Sequence, residues 1–165
     1  MIIELESVFN TDGLTVPISY EFEPDFEAFE GESRITSPIK VSGAVKNKAG
    51  IVTLKASAAF TYEGLCDRCA EDVISQYTFP VEHTLVVSLE SGENDDFLEV
   101  PNMRLDLDEL VWEDVTLALP TKYLCNEECK GLCAICGKNL NKTQCDCKKP
   151  VDPRMEALLQ LLEND

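Results

Sequence analysis

At 165 residues, with 44% hydrophobic and 27% charged side chains, the chain has an ordinary globular composition and enough length to bury a core. This excludes wholesale disorder and two equal large domains, and no apolar run approaches the ~18 residues of a membrane-spanning helix. A formal net charge of -17 repels phosphate backbones at long range and attracts basic partners.

The opening segment carries Glu4 and Glu6 where a secretory signal has basic residues ahead of an apolar stretch. Export is not expected, and the default compartment is the cytoplasm. The acid excess is uneven: residues 121–150 hold six lysines against three acids, a formal +3, which leaves -20 for the remainder. Thiolates in that tail offset much of its positive charge.

Period-two alternation predicts strands near 2–8, 14–22, 39–46, 51–62 and 73–89, most simply an antiparallel sheet. Asn47-Lys48-Ala49-Gly50 has turn composition and joins the third and fourth of these as a hairpin. Pro80 predicts that the last strand is broken, bulged or at an edge there. Residues 24–37 read as an acidic loop whose Phe26 and Phe29, with Phe22 before it, pack inward. The acidic run at 90–96 reads as a solvated connector, since its acids lack the spacing of a calcium loop.

Leu107, Leu110, Val111, Val115 and Ala118 fall at helical spacing, with Asp106 as cap, Glu109 three residues on and Pro120 as the stop. Trp112 and Leu117 lie off this stripe and are assigned to core packing. A second helix is expected from Asp152, with Pro153 in its first turn and Met155, Leu158, Leu159 and Leu162 on one face. The expected fold class is α+β: a mainly antiparallel sheet with two short helices and a cysteine-rich, zinc-binding tail. The expected divisions are a core at 1–120, a cysteine-rich segment at 121–150 and a C-terminal helix at 151–165.

Eight cysteines carry the chemistry. Cys66 and Cys69, and likewise Cys133 and Cys136, are separated by two residues, a spacing that lets one tight turn present both sulfurs to one ion. Gly137 suits the positive backbone dihedral of such a knuckle. Cys145 and Cys147 complete a four-thiolate set with Cys133 and Cys136 inside fifteen residues. The remaining four, Cys66, Cys69, Cys125 and Cys129, form a second set that ties a strand bend to the segment after Pro120. Two structural zinc ions are the expected cofactors.

Disulfides do not suit a reducing compartment, and the tail lacks either common ferredoxin spacing for an iron-sulfur cluster. A redox Cys-x-x-Cys normally opens a helix, whereas Cys66 falls at a bend between strands. Catalysis finds no support: the single histidine, His83, sits in a strand pattern with no partner near it in sequence, and neither a phosphate-binding glycine loop nor a nucleophile motif occurs. No enzyme activity, small-molecule substrate or membrane partner is expected.

The segments Leu65-Cys66-Asp67-Arg68-Cys69, Leu117-Ala118-Leu119-Pro120 and Cys129-Lys130-Gly131-Leu132-Cys133-Ala134-Ile135-Cys136-Gly137-Lys138-Asn139-Leu140-Asn141 together resemble the YceD family of bacterial and plastid proteins. The likeness spans roughly 37–147. Members of that family are implicated in accumulation of large-subunit ribosomal RNA, and their genes commonly neighbour one for a large-subunit ribosomal protein. The resemblance implies a ribosome-biogenesis factor acting on that RNA or through a basic ribosomal protein, and the acidic body favours the second route. Contact with RNA through the tail would use its lysines with Arg68 and Tyr123. Some family members lack the full cysteine set of the tail, so the tail site is not implied to be indispensable. Two alternatives are a thiol redox protein or sensor using Cys66 and Cys69, and a zinc-ribbon transcription accessory protein whose tail binds duplex DNA.

Overall fold

Alternation of buried and exposed side chains is regular along β3 (Ile39–Lys48), where Ile39, Val41, Val45 and Asn47 face inward and Lys40, Ser42, Lys46 and Lys48 face out. Half-buried strands of this kind build a sheet with one apolar face. The computed structural model describes residues 1–23, 35–88 and 96–147. Most of the predicted loop at 24–37, the connector at 90–96 apart from Asp96, and the C-terminal helix at 151–165 lie outside the described residues.

A five-stranded sheet runs in the order β2-β3-β4-β5-β6, with β2 at Thr15–Phe22, β4 at Ile51–Leu65, β5 at Asp72–Val86 and β6 at Phe97–Glu99. The β2/β3 and β3/β4 pairs are antiparallel, whereas the short β6 lies parallel to β5 at Thr84–Val86. Pro80 does not break β5. It lies where only one side of that strand has a neighbour among the described strands, a position that tolerates the missing N–H.

The hairpin loop is tighter than its composition indicates. Strand pairing continues to Lys48↔Ile51, which leaves Ala49 and Gly50 as a two-residue loop with φ of 54° and 82°. Positive φ at both central residues is the requirement of the turn that matches strand twist.

Residues 2–8 are a strand for only three residues. β1 (Ile2–Glu4) pairs antiparallel with the unforeseen β7 (Arg104–Asp106), and α1 (Glu6–Asn10) follows directly. Leu5 and Val8 are both fully buried, three apart, which is helical spacing and outweighs the apparent alternation. The helix α2 (Leu107–Ala118) is close to its prediction: Asp106 caps it by accepting from the Asp108 N–H at 3.1 Å, and Leu107, Leu110, Val111 and Val115 are buried in the main core. Trp112 packs against that core, but Leu117 is 86% exposed. The fold class is α+β as expected, although the second described helix is α1.

Asn47 is the buried polar residue among the described side chains of the core. Its Nδ2 donates to the carbonyls of Val8 at 2.8 Å and Phe9 at 3.4 Å, and its Oδ1 accepts from the Gly50 N–H at 3.1 Å. One side chain thus closes the end of α1 and the hairpin loop together. Asn47→Ala leaves those carbonyls without their donor and is expected to cost about 2 kcal/mol in urea unfolding. A loss below about 0.5 kcal/mol would show that water replaces the amide.

The chain divides into two compact units. One comprises Met1–Gly64 with Val73–Thr121; the other comprises Leu65–Asp72 with the residues from Lys122 onward. The segment between β4 and β5 therefore groups with the cysteine-rich tail.

Candidate metal centres

All eight cysteines lie in the second unit. The two Cys-x-x-Cys segments adopt the same turn. In the first, the Cys66 carbonyl accepts from Ala70 N–H at 2.8 Å and the Cys66 N–H donates to Glu71 O at 2.7 Å. In the second, the Cys133 carbonyl accepts from Gly137 N–H at 2.9 Å and the Cys133 N–H donates to Lys138 O at 2.8 Å. The residue four after the first cysteine has positive φ in both, 54° at Ala70 and 70° at Gly137. Glycine at 137 carries this dihedral at low cost, and Ala70 carries it without that help.

These turns gather two quartets of sulfur, Cys66, Cys69, Cys125 and Cys129 in one and Cys133, Cys136, Cys145 and Cys147 in the other, each with its sulfurs within 4.8 Å of one another. In the first, Cys66 Sγ lies 3.8 Å from Cys129 Sγ, and Cys69 Sγ 3.5 Å from Cys125 Sγ. A disulfide needs about 2.05 Å. A tetrahedron with arms of about 2.3 Å has edges of about 3.8 Å, so the spacing fits four thiolates around one ion. Both groupings match those expected from sequence.

Hydrogen bonds of the kind that support bound thiolates are in place. Asn141 Nδ2 donates to Cys129 Sγ at 3.2 Å, and Ile135 N–H points at Cys133 Sγ at 3.4 Å. Arg68 and Tyr123, considered above as RNA contacts, are engaged inside the unit. Arg68 Nη1 donates to the carbonyls of Cys129 at 2.9 Å and Glu127 at 3.3 Å. Asp67 and Tyr123 exchange two bonds: Asp67 N–H to Tyr123 O at 2.9 Å and Tyr123 N–H to Asp67 Oδ2 at 2.7 Å. Lys142 pairs with Glu71. Asn141 and the Glu71–Lys142 pair have no signature in the spacing of cysteines, and only the folded tail shows them beside the sulfurs.

Electrostatics within each quartet pull in opposite directions. Burial raises the Cys66 thiol, but backbone N–H groups of Cys125, Arg68 and Cys69 bring it down to about 6. Cys125, whose sulfur shares protons with Cys69 and Cys129, is pushed up to about 12. In the second quartet the N–H groups of Cys136 and Ile135 lower Cys133 to about 6, while the neighbouring Cys136 pushes Cys147 up to about 12. One sulfur ionises readily and the next cannot follow. A bound dication removes that conflict, so this donor set can hold a metal ion in each quartet.

Cys66 and Cys69 are 2% and 3% exposed, which does not suit a thiol that must meet a redox partner. His83, in the first unit, is not isolated in space: its Nε2 lies 2.7 Å from Asp114 Oδ2 on α2. No cysteine belongs to that unit.

The family model described as large ribosomal RNA subunit accumulation protein YceD matches residues 54–162, a span that includes all eight cysteines. Protein YlbN of Bacillus subtilis (strain 168) is 29% identical over 159 residues, covering 89% of this chain and 90% of that protein. An Arabidopsis thaliana protein named large ribosomal RNA subunit accumulation protein YCED homolog 1, chloroplastic, is 28% identical over 141 residues, 67% of this chain and 44% of its own length. A Zea mays protein of the same name is 39% identical over 57 residues, 33% of this chain and 20% of its own. The chain thus spans less than half the length of either plant relative. No solved structure matches it. Because the family match covers most of the chain and runs from β4 through β5, α2 and both sulfur quartets, the chain belongs to the YceD family.

Proposed function

We propose that this chain is a non-enzymatic ribosome-biogenesis factor that supports accumulation of large-subunit (23S) ribosomal RNA in the cytoplasm, acting on the RNA or through a basic ribosomal protein. The family match over 54–162, together with the name of the plant relatives, carries this reading. A net charge of -17 supports attraction to a basic ribosomal protein, with an on-rate that falls as salt rises. Among the described residues no helix is long and apolar enough to cross a membrane.

In this reading the cofactors are two zinc ions. Cys66, Cys69, Cys125 and Cys129 hold one, and Cys133, Cys136, Cys145 and Cys147 the other, which leaves no open position of the kind a catalytic zinc keeps. Zinc here supplies a fixed shape.

Cells lacking the chain are expected to show lowered large-subunit RNA relative to small-subunit RNA; an unchanged ratio overturns the assignment. Freshly purified protein is expected to contain two zinc ions per chain, with thiols that alkylate slowly until a chelator is added. Metal-free folded protein with eight reactive thiols overturns the zinc reading, and fast modification of Cys66 alone favours the redox alternative.

A further inference from the structure

Between Ile39 and Tyr62 the chain has four lysines and no acid, in a protein with thirty-one acids. The β3/β4 register places these lysines together. Lys40, Lys46 and Lys48 on β3 share the outer face with Lys55 on β4, through the partners Lys40↔Ala59, Ala44↔Lys55, Lys46↔Thr53 and Lys48↔Ile51. All four are exposed. Lys46, Lys48 and Lys55 border a shallow groove with Thr53 and Ile51, which is 58% exposed. Among the described residues, acids at the margin are Glu82, paired with Lys55 at 3.0 Å, Glu21 opposite Lys40, and Asp12, whose Oδ1 accepts from Ala49 N–H at 2.7 Å. Among the described residues no ion pair occupies Lys46 or Lys48.

The tail is a poorer cationic surface than its lysines indicate. Residues 121–150 sum to +3, but in the two-zinc reading their six thiolates and the two dications add -2, which leaves a formal +1. The hairpin has no such offset.

We propose that the outer face of the β3–β4 hairpin, centred on Lys46, Lys48 and Lys55, is a contact surface for the phosphate backbone of single-stranded RNA. Ammonium groups spaced along a strand pair can track successive phosphates, and the apolar floor at Ile51 and the lysine stems accepts a base edge. The choice of RNA rests on the functional reading above; the chemistry of the face selects a polyanion. Acid elsewhere on the chain disfavours that polyanion, and contact through a few lysines is sensitive to salt.

The test uses the full chain with a fluorescent 20-nucleotide oligouridylate and a transcribed large-subunit RNA fragment, titrated across salt concentrations. Lys46→Gln with Lys48→Gln alters two exposed side chains and is compared with Lys122→Gln with Lys138→Gln in the tail. The hairpin variant is expected to bind about tenfold more weakly, with the salt slope reduced by about 1.4, and the tail variant to bind as the parent. Equal binding by the hairpin variant, loss confined to the tail variant, or loss of an acidic protein partner in place of RNA overturns the proposal. In cells lacking the chain, unchanged large-subunit RNA overturns the functional reading itself. Lowered RNA that the hairpin variant restores in full overturns only the surface.

Discussion

Replacing Cys66 and Cys69 together by serine is expected to reduce the bound metal from two ions to one and to open the segments around 65–72 and 122–130 to protease. Cys66 and Cys69 are buried, and the segment that brings Cys125 and Cys129 to them is also held by four hydrogen bonds to Arg68 and Asp67. Four such bonds do not offset the loss of an ion that four sulfurs share. The second quartet uses other residues within the tail and is expected to keep its metal. Retention of two ions in the double variant would show that the sulfurs are grouped differently. Acid gives an independent check. Metal must displace protons from the sulfurs pushed up to about 12, Cys125 and Cys147, so affinity rises with pH. Acid returns protons to the sulfurs in competition with the ion, so metal loss on lowering the pH is the expected outcome.

Local signals in the sequence were sufficient wherever one period or one motif determines the outcome. The Cys-x-x-Cys spacing identified both knuckles, and the two quartets follow because eight sulfurs divide between a compact tail set and its remainder. The helix at 107–118 was legible from its stripe and its Asp106 cap. Residues 2–8 were not, since Ile3 and Leu5 alternate like a strand while the burial of Val8 depends on α1 turning into the core. Leu117 shows the same limit in reverse: an apolar side chain carries no sign of being 86% exposed. The hairpin lysines were counted in the net charge without forming a pattern, because a shared face appears only once the β3/β4 register is fixed.

Gly43→Ala is expected to destabilise the first unit by about 3 kcal/mol, against the ordinary preference of strands for alanine over glycine. Gly43 lies opposite Ala56 in the β3/β4 ladder. A methyl group at 43 would meet Lys55 O at 2.3 Å and Ala56 Cα at 2.4 Å. Both are backbone atoms of the neighbouring strand, so no side-chain rotation relieves the contact and the strands must part where Val41 and Val45 on one side and Leu54 and Ala58 on the other fill the core. Gly50 is the instructive comparison. A Cβ there meets nothing within 4 Å, but φ is +82°, so Gly50→Ala is a purely conformational cost of about 1 kcal/mol. Urea unfolding of the two variants separates close approach from dihedral strain. If Gly43→Ala matches or exceeds the parent in stability, the strands are not pressed together at that position, and the small residues of β3 and β4 are there for another reason.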